Sequence, residues 1–265
     1  MRLVTLEVCF PRIILAEFNT HRVFSRNSAS SRAIPVEKMI KMVEDNPYIP
    51  THWGKNQKGM QAEEELSEEQ IQKAREMWES AAYHAVGHAK NMLEVGLHKQ
   101  ITNRLLEPFM WHTVICTATE WANFFNLRCN PMAHPEIKLA AELMRDAMAG
   151  SVPQPVNYGD WHLPLLGEED RRAIEIYAVD ARLKASDFSA AMATEMLEWC
   201  KVSVGRCARV SYLTHDGKRD PQADIELADR LLEAGHMCFD AQTEVLTKRG
   251  WVEWPDVTTG VELFV

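Results

Sequence analysis

The chain has 265 residues and a formal net charge of −9, from 29 Lys+Arg against 38 Asp+Glu. Its 46% hydrophobic and 25% charged residues are ordinary for a globular protein and exclude a disordered or collagen-like chain. No apolar run approaches the roughly 18 residues a spanning helix needs, and the N-terminus MRLVTLEVCFPR reads as no secretory leader.

Six scattered cysteines without a CxxC pair read as reduced thiols, so a cytoplasmic protein is expected. The acidic balance argues against nucleic acid or a membrane as partner, but leaves room for a local basic pocket that binds a small anion.

Residues 3–10 (LVTLEVCF) predict a strand, interrupted by Pro11. A polar segment, Asn19 to Arg32, follows. Pro35 precedes a short helix over 36–45, and 46–59 reads as a loop. Ser67 and Gln70 form a capping box that opens a helix to about Val95, with Ile71, Ala74, Met77, Trp78, Ala81, Ala85 and Ala89 at helical spacing. A second helical stretch is expected over 99–127, with a break at Pro108, and a third from Pro135 to about Ala149. Residues 151–165 read as a loop. Helices are expected over 168–178, 187–203 and 221–234, and a short strand over Cys207–Leu213. After His236 helical spacing gives way to short β-prone runs, which places a module boundary between Met237 and Cys238.

Chemistry concentrates in two places. Asn19 to Arg32 contains three arginines, one histidine, two asparagines, one threonine and four serines. Arginine forks and serine hydroxyls suit phosphate oxygens, though the composition also describes a solvated loop. The second stretch runs from Asn103 and Arg104 through Glu107 to Asn123, Asn126 and Arg128, where polar groups sit among large apolar ones; ordinary helix decoration is the other reading. Two spacings are discounted. His84 and His88 lack the glutamate of a zinc helix, so an exposed pair and no metal site is expected; His112 and Cys116 have no orienting partner, so plain helix packing is expected there. No GxGxxG or Walker loop is present.

Thr20-His21-Arg22, followed after seven residues by Ser30 and then Arg32, resembles the Arg-His-Arg hallmark of the flavin-dependent thymidylate synthases (the ThyX family). The blocks NRLLEPF, TATEWANFFNLR and AHPEI are similar to that family's second half, and Arg209-Val-Ser-Tyr212 with Leu232-Glu-Ala-Gly-His236 to its VSY…GH segment. The resemblance covers most of residues 1–237 and implies an α+β fold of mixed helices with a small antiparallel sheet.

It also implies FAD as cofactor, NADPH and methylenetetrahydrofolate as co-substrates, dUMP as substrate and dTMP as product. Ser30, Arg32 and Arg104 are expected at the dUMP phosphate and sugar, Arg128 at the pyrimidine, and His21, Arg22, Asn27 and Asn123 at FAD. A homotetramer is expected, with Arg104 serving a neighbour's nucleotide. Thr20 and Glu17 depart from the family's Arg and Gln, and an arginine is replaced near Thr119. The VSY…GH block comes last here, as in a circularly permuted variant.

After Met237 the sequence CFDAQTEVLTKRGW resembles the first splicing block of an intein, a Hint-like β-rich module; a divergent β-hairpin tail is the other reading. The resemblances together imply a synthase portion, 1–237, and an intein N-terminal fragment, 238–265, with Cys238 as splicing nucleophile. Its remainder lies downstream or in a separate C-terminal intein fragment. The alternatives are a splicing precursor inactive as a synthase until spliced, and a nucleotide-binding protein without catalysis.

Overall fold

The computed structural model describes residues 2–58, 61–62, 64–156, 161–172, 174, 188–210, 220–234, 244–247 and 250–253. The chain forms two compact units, Met1–Glu168 with Arg206–Arg219, and Glu169–Gly205 with Asp220–Val265.

The first unit is α+β, as expected. Its sheet has three antiparallel strands in the order β1-β3-β2: β1 Val4–Pro11, β2 Ser25–Ser28 and β3 Trp111–Ala118. β1 and β3 pair from Val4 opposite Ala118 to Pro11 opposite Trp111. Pro11 therefore closes the strand instead of interrupting it, since proline is tolerated where a strand ends. The polar segment also contributes more structure than expected: β2 lies within it, with Ser25 opposite Thr117 and Ser28 opposite Val114.

The helix expected over 99–127 is the main correction. Only Lys99–Thr102 (α4) and Ala122–Arg128 (α5) are α-helical; Asn103–Leu105 and Glu107–Phe109 are 3-10 turns, and the middle of the stretch is the sheet's central strand. Pro108 supplies no N–H to continue a helix, and Thr113, Val114, Ile115 and Thr117 are β-branched. His112, Val114, Cys116 and Ala118 are buried on one face of β3. Val114, Cys116 and Ala118 pack with Phe10, Phe18 and Phe24, with Phe124 of α5, and with Ile137 of α6, which spans Pro135–Gly150. His112 and Cys116 are thus strand neighbours on one face, roughly 13 Å apart at about 3.4 Å per residue, and not a helical pair.

A second core joins α2 (Val36–Asp45) to α3 (Glu68–Glu94): Met39, Ile40 and Val43 meet Ala82, Val86 and Ala89. The capping box forms as read, with Ser67 Oγ accepting from the Gln70 backbone and Gln70 Oε1 from the Ser67 backbone. α3 ends where Gly96 turns to φ +79°, with Gly96 N–H donating to Leu93 and Leu97 N–H to Met92. Helix α1 spans Leu15–Asn19.

In the second unit, α7 (Phe188–Arg209) and α8 (Pro221–Glu233) meet at Gly205, where a Cβ would collide with the Asp224 carbonyl. The strand expected over Cys207–Leu213 is contradicted as far as it is described, because α7 continues through Arg209 and Val210 is in 3-10 conformation. Glycine is a weak helix former, but here it permits the helices' close approach, so α7 runs past it. Of the expected helix 168–178, positions 168–172 and 174 are helical and the rest lie outside the described residues. β4 (Glu244–Thr247) and β5 (Gly250–Glu253) form an antiparallel hairpin. The boundary at Met237, Cys238 and most of the VSY…GH block lie outside the described residues. Among the described residues no helix is long and apolar enough to cross a membrane.

Candidate active site

His21 and Arg128, 107 positions apart, meet directly. Arg128, in the last turn of α5, donates from Nε to His21 Nε2 at 2.8 Å. Its Nη2 donates to Thr20 Oγ1 at 3.0 Å and to the Glu17 carbonyl at 3.3 Å. His21 is buried and packs edge-on against Phe124 at 4.8 Å and stacked on Phe24 at 6.0 Å. Burial first, then the cations of Arg128 and Arg26, lower the His21 pKa, so the ring is neutral and can accept from Arg128. Arg26 Nη1 donates to the His21 carbonyl at 2.6 Å and ties β2 to the same turn.

A second cluster surrounds Glu107. Its Oε1 accepts from Arg12 Nη2 at 3.1 Å and from Arg104 Nη1 at 2.8 Å. Arg12 Nη1 also donates to His112 Nδ1 at 3.1 Å. Burial and Arg12 lower the His112 pKa to about 4, against an opposing pull from Glu107. A pocket of about 140 Å³ opens beside this pair, lined among others by Cys9, Ser31, Met42 and Trp111.

Asn103, fully buried, organises the turn that carries Ser30 and Arg32. Its Nδ2 donates to the Ser31 carbonyl at 2.7 Å and the Ile34 carbonyl at 2.9 Å. This draws the Ser30–Ile34 turn against the segment bearing Arg104. Lys99 Nζ adds a bond to the Ala33 carbonyl at 3.1 Å.

Two parts of the expected set are thus drawn together: His21 with Arg128, and the Ser30–Arg32 turn with the Arg104 segment. Ser30, Arg22, Arg32 and Asn123 are exposed, and no side-chain hydrogen bond or ion pair joins them to a described residue. Asn27 lies apart on β2, donating to the Cys207 carbonyl at 2.7 Å. Cys238 lies outside the described residues.

Sequence reasoning passed over Arg12, which supplies the partner it found lacking for His112. The signal for Arg12 was Glu107, an acid alone among apolar residues and in need of a cation. Cys116 is no nucleophile, since burial pushes its thiol up to about 12. Among the described residues no three His, Cys, Asp or Glu side chains cluster to hold a metal.

Solved structures with a similar fold include the UMP/dUMP methylase PolB from Streptomyces cacaoi, bound with 5-Br UMP in one and 5-Br dUMP in another. Both have a TM-score of 0.45, at 21% and 20% identity, and the match covers 56% of this chain and 68% and 65% of theirs. No curated protein matches the chain. The family model described as thymidylate synthase complementing protein matches residues 1–154, more than half of the sequence, and the chain belongs to that Thy1 family.

Proposed function

We propose that residues 1–237 are the N-terminal portion of a flavin-dependent thymidylate synthase, a circularly permuted form that methylates dUMP to dTMP with methylenetetrahydrofolate and NADPH as co-substrates. The observation that carries this reading is Arg128: a part-buried cation, in a Thy1 family chain, bonded among the described residues only to uncharged acceptors, so that its charge is open to a ligand. A fixed guanidinium favours negative charge developing on a pyrimidine carbonyl. Ser30, Arg32 and Arg104 are the phosphate set. Exposed Leu139 and Leu143, one turn apart on α6, support assembly of copies into the expected tetramer.

FAD fits part of the expected set. Arg22 and Asn123 are exposed with free donors, which suits the phosphates and polar edges of a dinucleotide. His21 Nε2 and Asn27 Nδ2 are already engaged within the protein, so the flavin reading leans on Arg22 and Asn123. When bound, FAD supplies the redox chemistry. The chain's own residues bind and orient the nucleotide.

Residues 238–265 complete the reading as an intein's beginning. Cys238 Sγ attacks the Met237 carbonyl carbon, the Met237–Cys238 C–N bond breaks, and the freed Cys238 amine takes the thiol proton. The thiolate is the attacking species. The β4–β5 hairpin is in keeping with a β-rich module. On this reading synthase activity appears only after splicing.

The test is an absorbance spectrum of purified protein with and without dUMP, paired with dUMP calorimetry. Flavin bands that shift on adding dUMP are expected. Colourless protein that binds no dUMP would end the synthase reading. For Cys238, thiol cleavage after Met237 is expected once the missing intein portion is supplied, and intact mass should show no cleavage in Cys238→Ala.

A further inference from the structure

Arg128 is the kind of side chain a carboxylate would hold, yet among the described residues no carboxylate pairs with it. Its three acceptors are a neutral imidazole nitrogen, a hydroxyl and a backbone carbonyl. Each is fixed in its role. Thr20 Oγ1 donates its own proton to the Glu17 carbonyl at 2.7 Å, so the oxygen faces Arg128 with lone pairs. His21 is wedged between Phe24 and Phe124 and presents Nε2. Nε and Nη2 are occupied, and Nη1 has no partner among the described residues.

We propose that His21 and Thr20 are positioning residues that clamp Arg128 through two uncharged acceptors, leaving Nη1 and an uncompensated positive charge aimed at the nucleotide. This rests on the dUMP reading given above. It also changes the role of His21, from a flavin contact to the residue that sets the orientation of Arg128.

An uncharged clamp has a chemical consequence. A carboxylate would hold the guanidinium more strongly, but would cancel much of the field that a pyrimidine carbonyl feels. The imidazole orients without cancelling, at the cost of acid sensitivity: protonated His21 has no lone pair at Nε2 and repels Arg128. The charged groups around the ring are the cations Arg128 on α5 and Arg26 on β2, which oppose protonation. Glu17 on α1 offers its carbonyl to Arg128, and its carboxylate Oε2 is buried without a hydrogen-bond partner.

Two measurements on the full chain test the clamp. The first needs no ligand. In protein labelled with ¹⁵N-histidine, His21 should be the Nδ1–H tautomer, and its titration midpoint should rise in Arg128→Gln. An Nε2–H tautomer, or a midpoint that does not move, overturns the proposal. The second is dUMP calorimetry across pH. His21→Leu keeps the volume and loses the acceptor, and should bind about tenfold more weakly above pH ~7. His21→Gln retains an acceptor and should stay within about threefold, as should Thr20→Val, which loses one acceptor of three.

Because burial, Arg128 and Arg26 lower the His21 pKa, the parent-to-Gln affinity ratio should hold through the ordinary imidazole range and fall only at lower pH, once His21 protonates; the titration of the dUMP phosphate cancels in that ratio. A ratio flat with pH, or a His21→Leu protein that binds like the parent, overturns the clamp and leaves the dUMP reading intact. A parent that binds no dUMP overturns the dUMP reading and the aim of the clamp with it.

Discussion

Among the described residues of the first unit are two arginine–histidine pairs, and they differ in one group. At the end of α5, Arg128 donates to a neutral His21 and meets no acid. At the base of the sheet, Arg12 donates to a neutral His112 and also to Glu107, which takes Arg104 as well. The carboxylate decides what each pair can do. Arg12, at 15% side-chain exposure, has its charge matched within the protein and ties the chain just after β1 to β3 and the Glu107 turn. Arg128 has its direction fixed but its charge unspent. Arg128, with neutral acceptors among the described residues, keeps its charge for a ligand, whereas the charge of Arg12 is matched by the part-buried Glu107.

The sharpest way to break this comparison is to delete both cations in turn. Arg12→Ala strands a part-buried carboxylate and a buried imidazole, and should cost about 3 kcal/mol, the low end for a broken buried pair because Arg104 still reaches Glu107. Arg128→Ala leaves only neutral acceptors behind and should cost less than about 1 kcal/mol, while lowering dUMP affinity about a hundredfold. Denaturant midpoints and calorimetry measure the two quantities. Equal destabilisation by both variants would erase the distinction.

Acid provides the next test. The folded pKa of His112 is about 4, against about 6.5 when unfolded, so its neutral form is favoured by the fold. The native state then binds fewer protons in that window. Stability is complete above about pH 6.5 and is lost as pH falls towards 4, by at most roughly 3 kcal/mol at about 1.4 kcal/mol per pKa unit. Unfolding free energies from pH 4 to 7 should show this slope, and His112→Gln should flatten it. A parent and variant with parallel slopes would mean that acid acts elsewhere.

How much of this was legible in the sequence depended on whether the signal was local. α3 was readable because Ser67, Gln70 and the apolar spacing all lie within it. β3 was not, because a spacing of four residues satisfies both a helix of period 3.6 and a strand of period 2. His112 and Cys116 therefore looked like helical neighbours when both simply face the core of the sheet. The reason for Gly205 was equally out of reach, because it is the Asp224 backbone in α8, where a Cβ would collide. In the site, His21 and Arg128 were named individually, yet their 2.8 Å contact could not be read from positions 107 apart. Arg12 was passed over because it directly follows Pro11, where the strand was expected to have ended.

Asn103 holds the turn of the proposed phosphate set and should rank next. Its amide makes two buried bonds to the turn that presents Ser30 and Arg32. Asn103→Ala leaves the Ser31 and Ile34 carbonyls short of a donor, at about 2 kcal/mol. Loosening the turn should also weaken dUMP binding. A variant that loses stability but keeps full affinity would show that Ser30 and Arg32 take no part in nucleotide binding.

The smallest stability effect is expected at Arg104, and it divides the Glu107 cluster from within. Arg104 and Arg12 share the same carboxylate oxygen, but the Arg104 side chain is 51% exposed and reaches Glu107 from three residues away. Solvent screens such a pair, and exposed pairs of this spacing contribute about 0.5 kcal/mol or less. Arg12 remains on Glu107 when Arg104 is gone, so no buried charge is abandoned. Arg104→Gln should therefore leave the denaturant midpoint nearly unchanged. If Arg104 turns from Glu107 to a nucleotide phosphate, the same variant should lose about tenfold in dUMP affinity, the amount expected for one charge-assisted bond. The loss should shrink as salt is raised, because an exposed cation meeting a phosphate is screened over about 10 Å at 0.1 M ionic strength. Marked destabilisation with unaltered dUMP affinity would place Arg104 beside Arg12 as a structural cation, and would leave Arg128 as the binding arginine of this unit's two clusters.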